Sequence, residues 1–248
     1  MKVVVSDTNL DLGRAAGKAA ADLIRASITE KGSANIILAT GTSQFETINQ
    51  LIKEDIDWSK VTMFHLDEYI GMPVSHPASF RKYLKERFLD KVSPLKASYL
   101  INAEEDAQAE AQALGKLISQ HPIDVALVGV GENGHLAFND PPANFDTEKP
   151  YLVVNLDEPC RRQQMGEGWF GSLDEVPKQA ISMSVRQIMK SKYIICSVPD
   201  ERKAQAVKDS LEQEVSNLFP ASILQQHGHC EFYLDKPSAS LLTKAGAF

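Results

Sequence analysis

Three short stretches of this chain set reactive side chains among glycines and hydroxyl residues. The richest is Gly129-Val130-Gly131-Glu132-Asn133-Gly134-His135-Leu136-Ala137-Phe138-Asn139-Asp140. Its glycines permit tight backbone geometry. His135 can move a proton near neutral pH, and Asp140 is close enough in sequence to orient it. The second, Leu66-Asp67-Glu68-Tyr69-Ile70-Gly71, carries two adjacent carboxylates directly after an apolar run. One can serve as a general base while the other holds orientation; a solvated loop with helix-capping acids accounts for the pair equally well. The third, Ala39-Thr40-Gly41-Thr42-Ser43, combines small residues and hydroxyls at a helix start, which suits an anion. It is neither a Walker loop nor a GxGxxG turn, and an ordinary N-cap at Thr42 or Ser43 explains it as well.

Candidate cations for a phosphate are Lys203, just after an apolar run and near a helix start, and the adjacent pair Arg161 and Arg162. Neighbouring residues point in different directions, so one arginine of the pair at most can reach a ligand. His65, His76, His121, His227 and His229 form no defensible constellation; His227 and His229 lack a third metal ligand. Cys160, Cys196 and Cys230 are odd in number and far apart, with no CxxC, and read as free thiols in a reducing compartment.

The elements that must position these loops alternate. Strands are expected at Lys2–Ser6, Asn35–Ala39, Val61–Leu66, Ser98–Ile101, Asp124–Val130, Tyr193–Val198 and Glu231–Leu234. Helices are expected at Leu10–Ala26, Ser43–Lys53, Ser79–Val92, Glu104–Gln120 and Glu201–Leu211, with Glu104-Glu105-Asp106 as a first turn. Asp124–Val130 is apolar throughout, as in a strand buried on both faces. This rhythm implies right-handed βαβ crossovers and a mostly parallel sheet with ligands beyond the carboxyl ends of its strands. The reactive loops fall at those ends, after Ala39, Leu66, Val130 and Val198. Residues 141–177, with five prolines and three glycines, break the rhythm and read as a lid-like insertion within a single 1–248 domain.

Composition agrees. A chain of 248 residues is long enough to bury a sizeable core, and 43 % hydrophobic with 24 % charged residues excludes a disordered or fibrous chain. A net charge of −7 without basic runs argues against nucleic acid as partner. No apolar run reaches the ~20 residues that span a bilayer, and no secretory leader is evident, so a cytoplasmic location without membrane contact is expected.

With Thr40–Ser43, Asp67-Glu68-Tyr69 followed by Gly71 and His76-Pro77, and Gly129–Asp140 ending in Phe138-Asn139-Asp140-Pro141, the chain resembles the glucosamine-6-phosphate deaminase (isomerase) family. Val198–Lys203 and Ala221–Ser238 look similar too. The resemblance implies a three-layer α/β sandwich that converts an aminosugar phosphate to a ketose phosphate and ammonia without metal or organic cofactor. By motif position Asp67 would be the ionised base moving a proton between C2 and C1. His135, helped by Asp140, would open the pyranose ring. Thr40, Gly41, Thr42, Ser43 and Lys203 would hold the 6-phosphate, joined by Arg161 or Arg162. A homo-oligomer is compatible with this reading. The family pattern has an aspartate where this chain has Asn133, a glutamate where it has Asp140, and a proline after the Thr40 loop. Asn133 therefore supplies no charge to polarise His135, and Asp140 is expected to fall short by a methylene. Cys160–Phe170 also departs, marking a divergent branch. The alternatives are a 6-phosphogluconolactonase-type hydrolase, disfavoured by Tyr69 where lactonases carry arginine, and a non-catalytic sugar-phosphate sensor.

Overall fold

The computed structural model describes residues 1–243; the last five positions of the expected 1–248 domain lie outside the described residues. Strands β1 (Lys2–Ser6), β2 (Ala34–Leu38), β3 (Val61–His65), β4 (Asp67–Tyr69), β5 (Ala97–Tyr99), β6 (Val125–Val128), β7 (Tyr151–Asn155), β8 (Gln179–Met183), β9 (Tyr193–Val198) and β10 (Cys230–Asp235) alternate with helices. The helices are α1 (Asn9–Lys31), α2 (Phe45–Leu51), α3 (Phe80–Arg87), α4 (Ala107–Ile118), α5 (Glu158–Gly166), α6 (Val185–Met189) and α7 (Ala204–Glu212).

Seven strands form one parallel sheet in the order β1-β10-β9-β6-β2-β3-β5. Alternation along the strands divides its side chains between two cores. Ile36, Leu38, Met63, Val125 and Leu127 pack against Leu12, Ala16, Ala20 and Ile24 of α1, Ile48 and Leu51 of α2, and Leu84 of α3. Ile37, Phe64, Ala126, Val128, Ile194 and Cys196 pack on the opposite face against Leu114 and Ile118 of α4 and Val207 and Leu211 of α7. The result is the three-layer sandwich, with both faces of the central strands dry.

Chain order reverses between two neighbours of this sheet. From β2 the chain crosses to β3 on one side, whereas β6 leads toward β9 and β10 on the other. At such a switch point the following loops diverge and leave a crevice beyond the strand ends. The Thr40 and Gly131 loops flank it.

Several expectations change. The Val61–Leu66 strand does not end in a loop: after Leu66 the chain continues as β4, the edge of a second, antiparallel sheet in the order β4-β8-β7. Residues 141–177 are thus not all lid, since β7 belongs to that sheet and α5 is a regular helix. α1 runs five residues past Ala26, because the first breaker is Gly32, whose φ of +81° caps the helix through a backbone bond to Ile28. Glu104-Glu105-Asp106 precedes its helix instead of opening it. Asp106 is the N-cap, accepting from the backbone of Gln108 and Ala109, and Glu104 turns back to pair with Arg81. Among the described residues, no helix is long and apolar enough to cross a membrane.

Candidate active site

A cleft opens at the switch point, lined by Thr40, Gly41 and Ser43, by Asp67, by Gly129, Gly131 and His135, and by Lys203. Segments that follow β2, β3, β6 and β9 thereby meet in one place, the one after β3 being the start of β4.

The first loop is held open by its backbone. Gly41 has φ of +94°, a conformation that L side chains rarely adopt. The Tyr83 hydroxyl donates to the Gly41 carbonyl at 2.9 Å. Thr42 does not line the cleft; it begins a short 3₁₀ turn whose carbonyl accepts from the Phe45 N–H. Gln44, where the family pattern has proline, is buried and donates to the Ser197 carbonyl at 3.2 Å, lacing this loop to the end of β9.

Asp67 and Glu68 occupy very different surroundings. Glu68 is fully buried and accepts from Ser79 Oγ (2.9 Å), the N–H of Arg81 (2.9 Å) and Arg81 Nε (3.3 Å). It anchors the N-terminus of α3, and Arg81 passes on to Glu104 at 2.8 Å and to the Met72 carbonyl at 2.8 Å. Asp67 faces the cleft. Burial, reinforced by the negative charges of Glu68 and Glu167, pushes its carboxyl up to about 8. Near neutral pH that raised value favours the protonated carboxyl.

His135 stands opposite Gly131, where an added Cβ would collide with the imidazole, so glycine is required by close approach. Asp140 does reach it despite its shorter side chain: Nδ1 and Asp140 Oδ1 are 2.9 Å apart. Burial opposes the charge of Asp140, but the hydrogen bond and charge of His135 and the Asn133 amide outweigh it, and its carboxyl lies below the usual range. Asn133 spans the pair, donating to Asp140 Oδ1 at 2.9 Å and accepting the His135 N–H at 3.1 Å. Its neutrality is no handicap for that task, which needs a donor on one side and an acceptor on the other. Ala137, two residues on, has φ of +52°, a strained conformation at the cleft wall.

Lys203 is buried in the last loop. Burial lowers its ammonium below the ordinary value, against the pull of Glu132 and Glu167. The arginines are a correction. Neither lines the cleft: Arg161 Nε reaches the Val176 carbonyl and its guanidinium also binds the Leu173 carbonyl, while Arg162 pairs with Glu158 on the exposed side of α5. The helical pitch turns both away and presents the next turn instead.

That turn supplies the residues missed in the sequence. Gln163, Gln164 and Glu167 line the cleft. Gln163 Oε1 accepts the Glu132 N–H at 2.9 Å, and Gln164 Oε1 accepts the Tyr69 hydroxyl at 2.7 Å, so α5 is docked on two of the site loops. Glu167 is raised by burial, opposed by Lys203 and Gln163. A signal was available: Asp157 followed by Pro159 is a helix start, an N-cap with proline in the first turn. His227 bonds the Ser191 carbonyl and accepts the His229 N–H, which engages both its nitrogens. The three cysteines are free and buried.

The model of the family of glucosamine-6-phosphate isomerases and 6-phosphogluconolactonases matches residues 7–232. A glucosamine-6-phosphate deaminase of Streptococcus equi subsp. zooepidemicus is 37% identical over 227 residues, 91% of this chain and 94% of the relative. One from Lactobacillus delbrueckii subsp. bulgaricus is 36% identical over 245 residues, 98% of this chain and 100% of the relative. The solved structure of a monomeric glucosamine-6-phosphate deaminase superposes with a TM-score of 0.90 at 33% identity, covering 98% and 100% of the two chains. The 6-phosphogluconolactonase of Trypanosoma brucei, at a TM-score of 0.80 and 20% identity over 98% of each chain, shares the fold. The chain therefore belongs to the family of glucosamine-6-phosphate isomerases and 6-phosphogluconolactonases.

Proposed function

We propose that this protein converts glucosamine 6-phosphate and water to fructose 6-phosphate and ammonia. The observation that carries the reading is the meeting of a proton-holding carboxyl, Asp67, and a carboxylate-backed imidazole, His135, in one cleft with a buried lysine. The deaminases at 36–37% identity over nine-tenths or more of the chain support the same reaction.

In this reading Lys203 gives the 6-phosphate its point charge, with backbone and hydroxyl donors from Thr40, Gly41 and Ser43. His135 transfers a proton at the ring oxygen as the pyranose opens, held in orientation by Asp140. Asp67, once ionised, takes the proton from C2 and returns it at C1, a short path for a carboxylate held against both carbons. The enolamine becomes an imine, and water releases ammonia. Asp67 must lose its proton before acting, and the ammonium of the arriving aminosugar favours that loss by placing positive charge beside it. Tyr69, whose hydroxyl is spent on Gln164, gives the cleft no second cation for a lactone's carboxyl product, which argues against the lactonase alternative.

The test is to incubate the purified protein with glucosamine 6-phosphate and measure ammonia and fructose 6-phosphate together. Equal amounts of both uphold the reading. Hydrolysis of 6-phosphogluconolactone above its spontaneous rate, with neither product from the aminosugar, refutes it.

A further inference from the structure

We propose that His135, Asp140 and Cys160 form a site for a borderline-soft divalent cation, zinc foremost, and that its occupation switches the cleft off reversibly. Each residue offers one donor atom, and the three atoms lie within 4.8 Å of one another. An imidazole, a carboxylate and a thiol are a donor set that zinc takes readily. Tetrahedral zinc, with bonds of ~2.0–2.3 Å, needs its ligands ~3.3–3.8 Å apart, so a closing movement of about 1 Å brings the set together. His135 Nδ1 and Asp140 Oδ1, 2.9 Å apart, must instead part slightly as the metal replaces the proton between them.

Asp140 supplies an independent sign. Its side chain is 10% exposed, and besides His135 and Asn133 it engages the Cys160 thiol, so the other two donor groups already meet at this one carboxylate. The thiol is held protonated by burial and by the charge of Asp140. Cys160 sits in the first turn of α5, where Asp157 caps its N–H at 2.8 Å, so its position is fixed by helix geometry rather than by a loose loop.

Protons balance simply. The Cys160 thiol gives up its proton to solvent as sulfur binds the ion. The neutral His135 ring shifts its single proton from Nδ1 to Nε2 as Nδ1 takes the metal, so the thiol proton is the one released per ion. Affinity therefore rises about tenfold per pH unit below the thiol's titration. Binding removes the imidazole and its carboxylate from ring opening; this inhibitory half rests on the function proposed above, whereas the binding half does not.

Zinc binding would be measured by competition with a chromophoric chelator, and cobalt would be added as a spectroscopic substitute, on the wild type, Cys160→Ala and Cys160→Ser. We expect one zinc per wild-type chain, a near-ultraviolet sulfur-to-cobalt band, and inhibition reversed by EDTA. Both variants should lose the band, bind zinc at least tenfold more weakly and turn over as before with zinc present. The serine variant, close in size, keeps the test valid if alanine opens a damaging cavity; thermal melts report that. Unchanged zinc affinity in the variants, or no stoichiometric zinc on the wild type, overturns the site. A thiolate-bound zinc that leaves turnover untouched upholds the site and refutes the role of His135 and Asp140 in turnover.

Discussion

Replacing Asp67 with asparagine should make the protein more stable as it makes it inactive. In the fold this carboxyl titrates at about 8 against 3.8 unperturbed, chiefly through burial. Between these values the native chain keeps a proton that the unfolded chain has released. Wild-type stability therefore falls with rising pH by ~1.4 kcal/mol per unit, from about pH 4 to about pH 8. Over some four units the accumulated cost is about 6 kcal/mol if fully realised. Asparagine has the same shape and no such titration, so the difference in unfolding free energy, variant minus wild type, should climb across that window and level off above it. Urea unfolding of both proteins at pH 5, 6, 7 and 8 measures the slope, since titrations elsewhere cancel in the difference. Parallel curves would mean that Asp67 is ionised in the resting fold, and burial would then not govern its proton. Turnover of the variant should be undetectable, because an amide cannot take the C2 proton.

Glu167→Gln removes one of the negative charges holding the Asp67 proton, so the acidic limb of kcat/KM, which rises with pH as Asp67 ionises, should move to lower pH. Lys203→Ala should raise KM by ~10- to 150-fold, corresponding to the ~1.5–3 kcal/mol of a hydrogen bond to a charged group, as read from initial rates at varied substrate. Gly131→Ala drives a methyl group into the space of the His135 ring, and a displacement of ~1 Å should cost ~100-fold in kcat with little change in melting temperature. Glu68→Gln leaves the buried Arg81 without its inner partner and should destabilise by ~3 kcal/mol in urea unfolding.

The central sheet was legible because both of its cores are built from local patterns. Apolar runs such as Val125–Val128 are buried on both faces, and each is followed by a loop that a parallel sheet must place at its ligand edge. The small sheet was not. β4 has three residues, and its partner β8 lies more than a hundred positions away. Pairing at that separation leaves no periodic trace in either segment. Arg161 and Arg162 failed for a related reason: a charge beside a phosphate motif is attractive until the helix phase is known, and the prolines of residues 141–177 concealed the helix that sets it. Glu167 and the two glutamines share the same blind spot.

The substitutions at Asn133 and Asp140 bear on how the imidazole is held. In the family pattern a longer carboxylate and a second acid flank it; in this chain a shorter carboxylate and an amide do. The amide donates to the same oxygen that meets Nδ1, so Asp140 is drawn toward the ring and needs no extra methylene. One fewer negative charge also matters in a cleft that already holds Asp67 and Glu167 and must admit a phosphate dianion. With a single buried lysine lining it, each added carboxylate would raise the Asp67 proton affinity further and repel the substrate. An amide at Asn133 keeps the orientation and leaves out that charge. Asn133→Asp should therefore raise KM and move the acidic limb of kcat/KM to higher pH, the opposite sense to Glu167→Gln. Equal shifts of both variants in the same direction would show that local hydrogen bonding, and not the summed charge of the cleft, governs Asp67.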